Sequence, residues 1–209
     1  MTAHRFRSAR RAAATGAVLT AAVLVLAGCG SQDQAGHDGH AASEPSATAE
    51  SSGHNSADVT FAQGMIPHHR QAVEMAALVT DRSASPEVKK LATAIEKAQN
   101  PEIRTMSGWL ESWGEKVPGA GQGSGHSGHS GHGMAGMMSA EDMTRLEKSS
   151  GSAFDRAFLE MMIEHHRGAV EMARTEKSSG AHRPSKEMAG DVITSQSAEI
   201  ARMEDMLRR

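Results

Sequence analysis

Residues 61–76 and 158–173 spell nearly the same phrase, FAQGMIPHHRQAVEMA and FLEMMIEHHRGAVEMA, at a fixed offset of 97 positions. Of these 16 positions, 11 are identical. The register continues without a gap, pairing Gln99 with Gln196, Glu102 with Glu199, Ile103 with Ile200, Met106 with Met203 and Leu110 with Leu207. Self-similarity of this length means that one supersecondary unit occurs twice, and the fold has to be assembled from two copies of it.

Each copy reads as two helices. At about 100° per residue, Phe61, Met65, His68, His69, Ala72, Val73, Met75 and Ala76 share one broad face, while Gln63, Arg70 and Glu74 face away. Arg70–Glu74 and Arg167–Glu171 have the i,i+4 spacing of surface ion pairs. The second helix of each copy starts near Pro86 or Pro184, a residue tolerated in a first turn. Its apolar face carries Leu91, Ile95, Gln99, Ile103, Met106 and Leu110, or in the later copy Met188, Val192, Gln196, Ile200, Met203 and Leu207. A single hairpin cannot bury such faces, but two packed together can. The expected fold is all-α, a four-helix bundle built from two repeated helical hairpins. An up-down-up-down course makes the first helices of the two copies parallel, with their histidine pairs at similar height facing the core. Pro67 and Pro101 are expected to kink the first hairpin without breaking it.

The remaining segments lack apolar periodicity. Residues 1–28 hold Arg5, Arg7, Arg10 and Arg11 before an apolar run from Ala12 to Ala27, too short to span a bilayer comfortably. The run ends in Leu26-Ala27-Gly28-Cys29, which resembles a bacterial lipobox, so residues 1–28 are expected to be a lipoprotein signal peptide and Cys29 the lipidation site. Residues 29–56 read as a disordered tether and 57–209 as the helical domain, interrupted by a flexible linker over 114–139. These features place the chain outside the cytoplasm, anchored to a membrane through lipid. With 22 basic against 25 acidic residues, four of the basic ones in the signal, the chain has no basic face for nucleic acid.

The composition bears on the chemistry. There are 14 Met and 12 His but no Tyr and one Cys, which the lipid would consume, so no thiolate is left for a metal. Met65, His68, Ala72 and Met75 follow the spacing 0, 3, 7, 10 and form one strip beside His69; Met162, His165, His166 and Met172 repeat it. Thioether suits Cu(I), and imidazole binds both copper oxidation states. The candidate metal ligands are therefore Met65, His68, His69, Met75, Met162, His165, His166 and Met172, with Met106 and Met203 on the partner helices, and the candidate ion is copper, Cu(I) before Cu(II). No Tyr or acidic partner lies on the histidine face. Glu74 and Glu171 face outward and neither copy contains Glu-x-x-His, which disfavours a di-iron centre. His126, His129, His132, Met134, Met137 and Met138 in the linker form a candidate auxiliary set, and His37, His40 and His54 in the tether a weaker one. Two other readings remain open: methionine as a filler of core gaps in a structural lipoprotein, and a ferritin-like metalloenzyme.

The phrases Met65-Ile66-Pro67-His68-His69 and Met162-Ile163-Glu164-His165-His166, each leading into Ala-Val-Glu-Met-Ala, resemble the domain-of-unknown-function 305 (DUF305) family over nearly all of 57–209. The resemblance implies a ferritin-like fold and, because that family includes secreted copper-binding proteins, extracytoplasmic copper binding without catalysis.

Overall fold

The computed structural model describes residues 53–119 and 135–209. These form five helices: α1 (Ser56–Arg82), α2 (Pro86–Ser112), α3 (Ala140–Lys148), α4 (Gly151–Ser179) and α5 (Arg183–Leu207). The four long helices are the two expected hairpins, α1–α2 and α4–α5. Both α1 and α2 run unbroken through Pro67 and Pro101. Asn55 caps α1 by accepting from the Asp58 amide, while the Asp58 carboxylate accepts from the Asn55 amide. Ser85 and His182 cap α2 and α5, each just ahead of a helix whose first turn contains proline. The short α3 is an addition to the expected pattern. A capping box of Ser139 and Asp142 starts it, and it ends at Lys148, before Gly151 opens α4 at φ 61°.

The hairpins do not stack in parallel. The carboxylate of Asp58, at the start of α1, accepts from the amides of Ala181 and His182 in the α4–α5 turn, at 3.1 and 2.9 Å. Asp155, its repeat counterpart at the start of α4, accepts from the Ser85 amide at 3.0 Å and from the Ser83 hydroxyl in the α1–α2 turn. Each hairpin thus clamps the turn of the other, and α1 and α4 are antiparallel. This corrects the expected up-down-up-down course. The physical reason is self-complementarity: two copies of one amphipathic surface bury each other best across a twofold axis, which reverses their direction. It also requires the chain between α2 and α4 to travel the length of the bundle, about 40 Å for a 27-residue helix.

Both described ends of that connection are docked on α1, another departure from a free linker over 114–139. Gln63 Nε2 donates to the Lys116 carbonyl at 3.1 Å and Arg70 Nη1 to the Pro118 carbonyl at 2.6 Å. On the return, Gln71 donates to the Met138 carbonyl at 2.9 Å and accepts from the Met138 amide at 2.8 Å. Neither expected i,i+4 ion pair forms. Arg70 serves the linker, and Arg167 binds Glu164 and Glu204 instead. Among the described residues, no helix is long and apolar enough to cross a membrane.

Candidate metal centre

The core is two apolar clusters with a polar layer between them. Along α1, Phe61, Ala62, Met65 and Ile66 belong to one cluster, and Ala72, Met75, Ala76 and Val79 to the other. Along α4 the order is reversed: Phe158, Met162 and Ile163 join Met75, while Ala169 and Ala173 join Met65. Between the clusters stand His68, His69, His165 and His166, each 0% exposed. The His68 and His165 rings meet with centroids 3.7 Å apart and planes tilted by 38°. The thioethers divide by the same twofold relation. Met65 and Met106 are buried in one cluster with half-buried Met172 against it, and Met75, Met162 and Met203 are buried in the other.

The second helix of each hairpin supplies the partners. His69 Nε2 lies 2.7 Å from a Glu102 carboxylate oxygen, and His166 Nε2 lies 2.7 Å from Glu199. His68 Nε2 lies 3.2 Å from the Ala135 carbonyl oxygen. Carbonyl and carboxylate oxygens accept, so in these three rings Nε2 carries the proton and the lone pair of the neutral ring sits on Nδ1. Burial, and after it the neighbouring His69, push the His68 imidazole down to about 3. Burial and then His68 likewise hold His165 well below the usual histidine range. Both rings are neutral donors of lone pairs.

Those lone pairs have no protein partner. The Nδ1 atoms of His68, His69, His165 and His166 and the Nε2 of His165 are all buried without a hydrogen bond. An unsatisfied buried polar atom costs roughly 1–3 kcal/mol, and native interiors keep few of them. Concentrated in one layer, they fit a cation that accepts imidazole lone pairs. Among the described residues no three His, Cys, Asp or Glu side chains converge as a preformed cage. The layer offers imidazole nitrogen, and the apolar clusters on either side of it hold the thioethers, a borderline-to-soft donor set.

The structure overturns the expectation that the histidine face lacks an acidic partner. That holds for the residues of α1 and α4, where Glu74 and Glu171 are exposed. Glu102 and Glu199 reach the layer from α2 and α5, and hydrogen bonding from the far nitrogen of a metal-binding imidazole fixes its orientation and raises its basicity. The available signal was a polar residue repeated at the same place in both copies. Gln99 and Gln196, one turn earlier on the same faces, carry that signal too: they are 2% and 3% exposed, each with an unpartnered Oε1. Met137 and Met138 are half-buried in the segment leading into α3, and His54 stacks on Trp113 at 4.4 Å, outside the histidine layer. Cys29, His37, His40, His126, His129, His132 and Met134 lie outside the described residues.

Comparison with known proteins agrees with this architecture. The profile of a family described as a domain of unknown function (DUF305) matches residues 58–207. A DUF305 protein of Streptomyces coelicolor, described as a putative secreted protein, is 35% identical, with a TM-score of 0.65 over 73% of this chain and 92% of that one. CopM in its Cu(II)-bound form is 36% identical, with a TM-score of 0.61 over 72% of this chain and 95% of CopM; its Cu(I)-bound form matches at 32% and 0.60. The uncharacterized protein L153 of Acanthamoeba polyphaga mimivirus is 39% identical over 54 residues, and the match spans 36% of its length.

Proposed function

Because the chain belongs to the DUF305 family, we propose that it is an extracytoplasmic copper-binding protein, held at a membrane by lipid on Cys29, that sequesters copper or hands it on and catalyses nothing. The observation that carries this reading is the layer of buried imidazole nitrogens without partners. The crystallised CopM forms with Cu(I), Cu(II) and silver support the choice of ion. His68, His69, His165 and His166 act as nitrogen ligands through Nδ1, or for His165 through either nitrogen. Met65, Met75, Met162 and Met172 add thioether to hold Cu(I), with Met106 and Met203 in reserve. His126, His129, His132, Met134, Met137 and Met138 collect ions loosely for the ordered centre. In this reading copper is cargo.

The test separates packing from ligation. Leu and Met have similar volumes, so each Met→Leu change in a core costs below about 1.5 kcal/mol. Changing Met65, Met75, Met162 and Met172 together to Leu is expected to leave a helical domain by circular dichroism. Competition with a Cu(I) chelator should then show affinity lowered more than about tenfold, while competition with a Cu(II) chelator shows much of the Cu(II) binding retained. An unchanged Cu(I) affinity in the folded variant refutes the thioether ligands. A second reading, a ferritin-like oxidase, draws on the two His–Glu pairs; steady turnover of Fe(II) or Cu(I) with oxygen would favour it.

A further inference from the structure

The four histidines are fully buried, so an ion can reach them only if some part of the wall moves. Most of that wall is α-helix, packed by apolar side chains on both sides of the layer. Among the described residues, the non-helical stretch from Ala135 to Ser139, which lies on α1 and α4 before α3 begins, is the one that reaches a histidine ring. Its polar attachments are specific, and Met138 also packs against one apolar cluster. The Ala135 carbonyl takes the hydrogen bond from His68 Nε2, and Met138 exchanges two hydrogen bonds with Gln71. Gly136 adopts φ 78°, a conformation that favours glycine, and sits against the α4 backbone; a Cβ there would stand 3.0 Å from the His165 carbonyl oxygen. Gly168 faces it from α4, where a Cβ would run into the Ala135 carbonyl itself.

The repeat makes this asymmetry readable. Gly168 occupies the position that Gln71 holds in the first copy, and it interrupts an otherwise identical run from His-His-Arg to Ala-Val-Glu-Met-Ala. The two copies differ at the place where the strap crosses: one supplies hydrogen bonds to it and the other a gap for its backbone. Glycine within a helix costs about 1 kcal/mol relative to alanine, and the close approach of the strap explains why it is kept.

We infer that residues 135–139 are a removable wall of the histidine centre, seated by Gly168 and Gln71, whose lifting admits the metal and whose Ala135 carbonyl, when seated, holds the His68 proton on Nε2. Gly168 and Gln71 are positioning residues that act through the strap. The identity of the ion rests on the copper reading above; the movable wall does not.

The test uses the full-length, metal-free protein and the variants Gly168→Ala and Gln71→Ala. Diethyl pyrocarbonate acylates accessible neutral imidazole, and peptide mass mapping reads each histidine separately, with half-buried His182 as the internal reference. In Gly168→Ala, His68 and His165 are expected to react at least tenfold faster, with the His182 rate and the helical circular dichroism unchanged. The ¹⁵N shifts of the His68 ring should move from a pure Nε2–H tautomer toward a mixture. Equal acylation rates and an unchanged tautomer in folded Gly168→Ala would overturn the inference. Should Gly168→Ala fail to fold, Gln71→Ala decides by the same readouts: a severalfold acceleration supports the strap and no change rejects it. Capture of Ag(I), followed by stopped flow, should accelerate in parallel. Failure of the wild type to bind Ag(I) or copper removes the copper reading, while the acylation result still judges the strap.

Discussion

The imidazoles of His68 and His165, one from each repeat, are in ring-to-ring contact at 3.7 Å in the middle of the core, with neither Nδ1 hydrogen-bonded. Unpartnered buried nitrogens of this kind weaken the empty protein. Replacing His165 by Leu removes two unpartnered nitrogens at similar volume. The metal-free variant is expected to gain about 1–3 kcal/mol in stability, measured by urea unfolding, and on the copper proposal added copper should raise the melting temperature of the wild type but not of the variant. A less stable empty variant would show that the imidazole is a packing element.

Acid should unfold the metal-free domain early. Burial holds His68 at about 3 and His165 well below the usual range, against 6.5 for an ordinary histidine. The unfolded chain therefore binds more protons, and stability present above pH 6.5 is lost as the pH falls toward the folded values. Two such groups give a slope of about 2.7 kcal/mol per pH unit. Denaturant unfolding between pH 7 and 4.5 measures it, and His165→Leu should roughly halve the slope. A flat profile would mean that the rings already carry protons when folded.

On the copper proposal, Glu102 and Glu199 orient the ligand imidazoles without being required for the fold. Their side chains are 23% and 22% exposed, so their removal leaves little void. Glu102→Ala is expected to weaken copper binding about 10- to 100-fold, with a small change in unfolding free energy. Glu102→Gln keeps an oxygen that can accept from His69 Nε2 and should recover part of the affinity. Equal affinity in all three proteins would remove these carboxylates from the site.

A different titration operates at the end of the bundle. Glu176 is 1% exposed, and burial followed by the neighbouring Asp58 carboxylate raises it to about 7, from an ordinary 4.5. A raised carboxyl contributes stability that is complete below pH 4.5 and is lost as the pH rises through about 7. Glu176→Gln keeps a neutral donor toward Asp58 at every pH. At pH 8 it should be more stable than the wild type by about 2 kcal/mol, and at pH 4 nearly equal to it, by thermal unfolding. A variant no more stable at pH 8 would show that the ionised pair is accommodated.

Periodicity and repetition made the hairpins and the inward histidines legible, because face and spacing are local properties of a helix. The direction in which the hairpins dock was not, since Asp58 and Asp155 act on the opposite hairpin's turn and nothing in their own neighbourhood says so. Ion pairing failed for a related reason: Arg70 finds the Pro118 carbonyl from a segment 48 positions away, which outcompetes a solvated Glu74. Glu102 and Glu199 stood in the alignment of the repeats, yet helix-by-helix reasoning placed them on a helix other than the one bearing the histidines. Their identity in both copies, at a position bordering an apolar face, was the sign of a shared task.

The antiparallel clasp of the hairpins has an evolutionary and an engineering meaning. A histidine layer lying on a dyad is written once in each half, so a lone hairpin holds half of the candidate centre and a surface complementary to itself. Two identical hairpin peptides could meet as a homodimer and complete the centre without any crossover chain. The connection then adds proximity, and freedom for the halves to diverge, as they have at Gln71 and Gly168.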